Sequence, residues 1–124
     1  MPNGLLFFDE ETLVFGNMGN TFNGGSKKGG LYFLNITPSK EPLGKRMKLI
    51  KGGLGMVDGI EKSPAGNFFV SEFSEGKFYE ISPNGETTTL LNNIKGAADF
   101  TLIDNKRMLL LPSLKSGKLD AYNY

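Results

Sequence analysis

The sequence predicts an all-β fold, and three observations carry that expectation. Short apolar, β-branched or aromatic runs recur along the chain, each bounded by Gly, Pro, Asn or Ser. Seventeen glycines and six prolines supply the breaks between them. No window holds a helical hydrophobic period over a useful length, so no helix is assigned.

The stretch from Met56 to Leu91 shows the pattern most clearly. Asp58-Gly59-Ile60 opens a first strand, and Pro64-Ala65-Gly66-Asn67 turns it into the run Phe68 to Phe73. A polar break at Ser74-Glu75-Gly76 leads to Phe78-Tyr79-Glu80-Ile81. The turn Ser82-Pro83-Asn84-Gly85 then leads to the threonine-rich strand from Glu86 to Leu91. That is one four-stranded antiparallel unit.

The same unit recurs on either side. Before it stand Asn3-Gly4, the run Leu13 to Gly16, Gly30-Leu31-Tyr32-Phe33-Leu34, and Lys45 to Ile50. After it stand Asp99-Phe100, the run Met108 to Pro112, and Lys118-Leu119-Asp120-Ala121-Tyr122. Asn3, Asp58 and Asp99 each precede a strand-end residue by fourteen positions: Asn17, Glu72 and Ser113. Gly76 and Gly117 open matching third strands; the first repeat reaches its own through a longer loop within Met18 to Gly29.

The repeats therefore span approximately 2–55, 56–97 and 98–124 of a single partial domain over 1–124, and the third lacks its outer strand. Repeats of roughly 40–45 residues with four short strands are characteristic of propeller blades, and a propeller needs about four to eight of them. Three blades make half of a six-bladed ring. A second copy or a missing N-terminal half is expected to close it, and the unfinished third blade exposes an edge open to pairing.

Composition narrows the chemistry. A net charge of +1 with 22% charged residues gives no electrostatic case for nucleic acid or an anionic membrane. Without cysteine or histidine, the chain by itself has no thiolate or imidazole chemistry, and any reaction rests on carboxylates, amides, hydroxyls or lysines. No apolar run is long enough for a membrane-spanning helix, Met1-Pro2-Asn3-Gly4 does not read as a signal peptide, and the compartment stays open.

Pro2-Asn3-Gly4-Leu5, Gly30-Leu31-Tyr32, Val57-Asp58-Gly59-Ile60 and Ala98-Asp99-Phe100, in this order and spacing, resemble the later half of the regucalcin–gluconolactonase superfamily. Leu109-Leu110-Leu111-Pro112 and Leu119-Asp120-Ala121-Tyr122 resemble its final blade. The resemblance implies a six-bladed propeller with a divalent cation at the channel mouth and hydrolysis of a lactone or similar ester. It implies Asn3 and Asp58 as metal ligands, with Asp58 also acting as base. A glutamate ligand and a further asparagine from the earlier blades have no counterpart, so the chain alone is not expected to be an efficient enzyme.

Asn3, Asp58 and Asp99 begin successive innermost strands and are expected to converge at that mouth. Oxygen ligands of this kind suit a hard cation, Ca²⁺ first, with Mg²⁺ and Zn²⁺ as alternatives. The competing reading is that they bond turn amides at strand starts. Asn17, Glu72 and Ser113 fall near the same mouth, as substrate contacts or as solvated loop residues. Glu61 is assigned a structural role, because strand alternation sends it to the opposite face unless a bulge intervenes.

Two glycine-rich stretches fail as nucleotide motifs. Gly24-Gly25-Ser26-Lys27-Lys28-Gly29-Gly30 lacks a Gly-Lys-Ser/Thr end and precedes a strand, so it is read as a loop overhanging the channel. Gly53-Leu54-Gly55-Met56-Val57-Asp58 opens no helix. Lys45, Arg46, Lys48 and Lys51 suit an outer edge strand guarded against pairing. A non-catalytic module binding a sugar, peptide or protein is the alternative to the hydrolase.

Overall fold

A computed structural model describes residues 1–20 and 27–124; residues 21–26, within the long glycine-rich loop, lie outside the described residues. The described chain forms three antiparallel sheets in chain order. Sheet 1 holds β1 (Pro2–Phe7), β2 (Thr12–Asn17), β3 (Gly30–Asn35) and β4 (Met47–Gly52). Sheet 2 holds β5 (Val57–Lys62), β6 (Phe68–Glu72), β7 (Lys77–Ile81) and β8 (Thr87–Leu91). Sheet 3 holds β9 (Thr101–Ile103), β10 (Met108–Ser113) and β11 (Lys118–Asn123). Each is a simple antiparallel meander, in which every strand pairs with the next in the chain.

The all-β expectation and the division into four, four and three strands agree with this arrangement. Strand boundaries move by one or two residues, most notably in sheet 1. The fourth strand of sheet 1 starts at Met47, because Lys45 and Arg46 complete a 3-10 turn over Leu43–Arg46. A second 3-10 turn, Asp104–Lys106, joins β9 to β10. No helix among the described residues is long and apolar enough to cross a membrane.

The core lies at the two interfaces that sheet 2 makes. Val14 and Leu31 of sheet 1 meet Val57, Ile60, Phe68, Val70, Tyr79 and Ile81 on one side. On the other, Phe69 and Phe78 meet Leu109 and Leu111 of sheet 3 and Phe100 just ahead of it. Alternation along β6 explains the split, since Phe68 and Val70 face one neighbour and Phe69 faces the other. Each such side chain contributes about 1.5–3 kcal/mol when fully buried.

Sheets 1 and 2 approach so closely at their inner strands that glycine is required there. A Cβ on Gly4, whose φ is +71°, would lie 2.4 Å from the Asp58 carbonyl oxygen; one on Gly16 would lie 2.4 Å from Val57 Cγ1. Both β1 and β5 bulge at this point, between Asn3 and Leu5 and between Val57 and Ile60. A bulge inserts one unpaired residue and so changes which face the following residues occupy.

Candidate functional site

The inner strands bring Asn3, Asp58 and Asp99 together. Asn3 is the second residue of β1 and Asp58 the second of β5, whereas Asp99 lies just ahead of β9. The Asn3 side-chain amide donates to Met18 Sδ at 3.5 Å and lies close enough to the Asp58 carboxyl to favour its charged form. Asp58 is half-buried and Asp99 is exposed.

The register corrects the equivalence drawn from sequence spacing. Asn17, Glu72 and Ser113 are matching strand ends, paired with Pro2, Val57 and Ala97 respectively. One residue on from those partners stand Asn3, Asp58 and Ala98, the last donating its N–H to the Pro112 carbonyl. Ala98, not Asp99, holds the third position of the series, and Asp99 falls where Gly4 and Gly59 fall. Its carboxylate still comes to Asp58, because Gly59 leaves room: a Cβ there would lie 2.9 Å from Asp99 Oδ1. Buried Ser71 fixes the approach, accepting the Gly59 N–H at 2.8 Å and donating to the Ala98 carbonyl at 2.8 Å.

The electrostatics are those of crowded acids. Burial pushes the Asp58 carboxyl above its ordinary value, the neighbouring Asp99 charge raises it further, and the Asn3 hydrogen bond offsets part of this. Burial likewise raises Glu61, followed by the charges of Asp99 and Asp104. None of the influences on either carboxyl comes from a basic side chain.

Glu61, assigned a structural role from the sequence, shares the influence of Asp99 with Asp58. The register shift between Val57 and Ile60 is the bulge that the alternation argument named as its exception, and it undoes the strict alternation between Asp58 and Glu61. Among the described residues, no three Asp or Glu side chains lie close enough to hold a metal ion without help from other donors.

The three expected substrate contacts are engaged within the chain. Glu72 is fully buried, and its Oε1 accepts the N–H groups of Met56 and Ser74 at 2.8 Å each and the Ser74 hydroxyl. Its Oε2 accepts the Glu75 N–H at 2.7 Å. Asn17 Oδ1 accepts the Gly19 N–H at 2.6 Å and the chain's terminal ammonium at 3.3 Å. Buried Ser113 donates to the Lys95 carbonyl at 2.7 Å and accepts the Ser116 hydroxyl at 2.8 Å. All three fasten the loops beside the ends of β2, β6 and β10, so Glu72 in particular is not presented to a ligand.

No family model matches the sequence, and no curated protein matches it. The fold is similar to the crystal structure of a protein of unknown function from Bacteroides caccae, with a TM-score of 0.54 at 14% identity. That likeness covers 98% of this chain and 46% of the other, so the chain spans less than half the length of its structural neighbour.

Proposed function

We propose that the three sheets are blades forming half of a six-bladed propeller of the regucalcin–gluconolactonase type. In this reading the inner-strand cluster is one side of a divalent-cation site for lactone or ester hydrolysis. The observation that carries it is Asp58, a half-buried carboxyl raised by burial and by Asp99, held by Asn3, and without basic compensation. A carboxyl raised by burial together with a like-charged neighbour is a functional-site candidate with a stated physical rationale.

Asn3, Asp58 and Asp99 offer the hard oxygen donors that Ca²⁺ takes, and Ca²⁺ wants about six to eight of them. A cation there supplies charge to polarise the substrate carbonyl. The chain's own part would be proton transfer: in this reading the Asp58 carboxylate, besides offering an oxygen to the cation, takes the proton of the attacking water. The remaining ligands and the other half of the ring come from a second copy or from further chain. The neighbour's length, more than twice the matched region, supports a larger assembly.

Titration calorimetry of the chain with Ca²⁺, Mg²⁺ and Zn²⁺ tests the site. Binding of Ca²⁺ that Asp58→Ala abolishes is the expected result, with lactone turnover in the closed assembly and little in the isolated half. Absence of heat with every cation would leave the second reading, a non-catalytic module for a sugar, peptide or protein. That alternative is favoured by the internal engagement of Asn17, Glu72 and Ser113, which leaves few free polar groups for a substrate.

A further inference from the structure

At the end of sheet 1 away from Asn3, a hollow of ≈ 330 Å³ is lined by Phe8, Thr12, Phe33, Asn35, Arg46 and Lys48. The register explains the gathering. Thr12 pairs with Asn35, Val14 with Phe33 and Phe33 with Lys48, so alternation sets these side chains on one face. It is the face on which Val14 packs against sheet 2. Blades joined to the opposite face of sheet 1 therefore leave the hollow open.

Its floor is aromatic. Phe8 and Phe33 meet edge to face at 5.2 Å between ring centres, and both rest against Phe68 of sheet 2, at 5.8 and 6.0 Å. Its charge is basic. Arg46 and Lys48 belong to the lining, which holds no acid, and Lys62 Nζ stands 5.1 Å from the Phe8 ring centre. None of these three cations forms an ion pair among the described residues. Asp9, Glu10 and Glu11 line a separate hollow that shares only Thr12 with this one, and Asp9 Oδ1 accepts the Glu11 N–H at 2.9 Å. The Arg46 guanidinium is fixed by one bond, Nη1 donating to the Thr37 carbonyl at 2.5 Å. Its Nε is buried and has no acceptor among the described residues, an arrangement that calls for a partner.

We propose that the hollow binds a small organic anion, an aryl carboxylate, with its ring on Phe8 and Phe33 and its carboxylate between Arg46 and Lys48. The planar fork of arginine matches a carboxylate, and a third ring extends the edge-to-face pair. An inorganic anion would leave the apolar floor uncovered, and a neutral ring would leave the basic groups without a counter-charge. The inference does not depend on the inner-strand site, since Asn3 pairs near the far end of β2.

The test is an NMR titration of the ¹⁵N-labelled full chain with benzoate, with benzamide, acetate and phosphate as controls. Benzoate should saturate and move the amides of Thr12, Asn35 and Lys48. Each control should bind about tenfold more weakly or worse, a difference of about 1.4 kcal/mol. Arg46→Gln, and Lys48→Gln at an exposed position, should each weaken benzoate by a similar factor. Acetate or phosphate binding as tightly as benzoate shows an adventitious anion only and overturns the proposal. Benzamide binding as tightly overturns it too, as does no approach to saturation at about 10 mM benzoate. Benzoate affinity unchanged in Arg46→Gln has the same force; where that variant does not fold, affinity unchanged in Lys48→Gln decides against the site.

Discussion

Strands β6 and β10 hold equivalent places in sheets 2 and 3, and their burial differs. All five residues of β6 are buried, while β10 alternates between buried Leu109, Leu111 and Ser113 and half-buried Met108, Leu110 and Pro112. Composition does not explain this, because the run from Met108 to Pro112 is as apolar as the one from Phe68 to Val70. Neighbours do: sheet 2 packs against a sheet on each face, and sheet 3 against one. Apolar sequence on both faces of a strand thus reports what the strand is suited to meet, and burial reports what it does meet.

The largest effect expected from breaking that comparison lies at Glu72, sealed at the end of β6. Glu72→Ala strips an acceptor from three buried or half-buried backbone amides and should cost about 3–5 kcal/mol. Asn17→Ala, at the matching end of β2, removes a loop acceptor at a wetter position and should cost about 1 kcal/mol. Urea denaturation of both variants checks the ordering. Equal losses would show that sheet 2 is not the better-sealed unit.

Adjacent residues of β10 give a finer contrast. Leu109 is 2% exposed and packs towards sheet 2, whereas Leu110 turns to the uncovered face. Leu109→Ala should cost about 2–5 kcal/mol and Leu110→Ala under about 1 kcal/mol, read as shifts in the urea midpoint. A Leu110→Ala loss that grows with protein concentration in the wild type's favour would instead show that this face is covered in solution.

Fold and site were legible to different depths, for physical reasons. Strand spacing and turn residues set the sheets because hairpins are local: Pro64 to Asn67 and Ser82 to Gly85 turn where they were expected to turn. The pairing of Asp58 with Asn3 was accessible because the repeat places both at the same register position. Asp99 was set one position off the series that Ala98 continues, and the bulge ahead of Glu61 was left open, for one reason. Register depends on single-residue bulges, and counting along the sequence does not see them. Glu72 escaped because a charged residue at a strand end usually meets water. What buries it is the glycine opposite, Gly55, where a Cβ would lie 2.5 Å from its Oε1.

The smallest effect concerns the two kinds of carboxyl on sheet 2, and it differs in sign. Glu75, bonded to Lys77 and Lys28 at the surface, is lowered to about 2, so it stabilises above the ordinary carboxylate range and loses that contribution as pH falls towards 2. Asp58 is raised, so its ionised form strains the fold. The penalty is absent below the unfolded value of about 4, grows as pH rises through it, and is complete above the folded value. With a chelator present, Asp58→Asn should therefore melt slightly higher than wild type at pH 7 and equal to it at pH 3. Glu75→Gln should melt slightly lower at pH 7, the ion pairs being exposed and weak. Saturating Ca²⁺ should reverse the Asp58→Asn order at pH 7, because a cation bound to the folded chain turns the strained carboxylate into a ligand. Thermal melts of the three proteins with and without Ca²⁺ read all of these, and an Asp58→Asn difference that ignores both pH and Ca²⁺ would make Asp58 an ordinary strand-start residue.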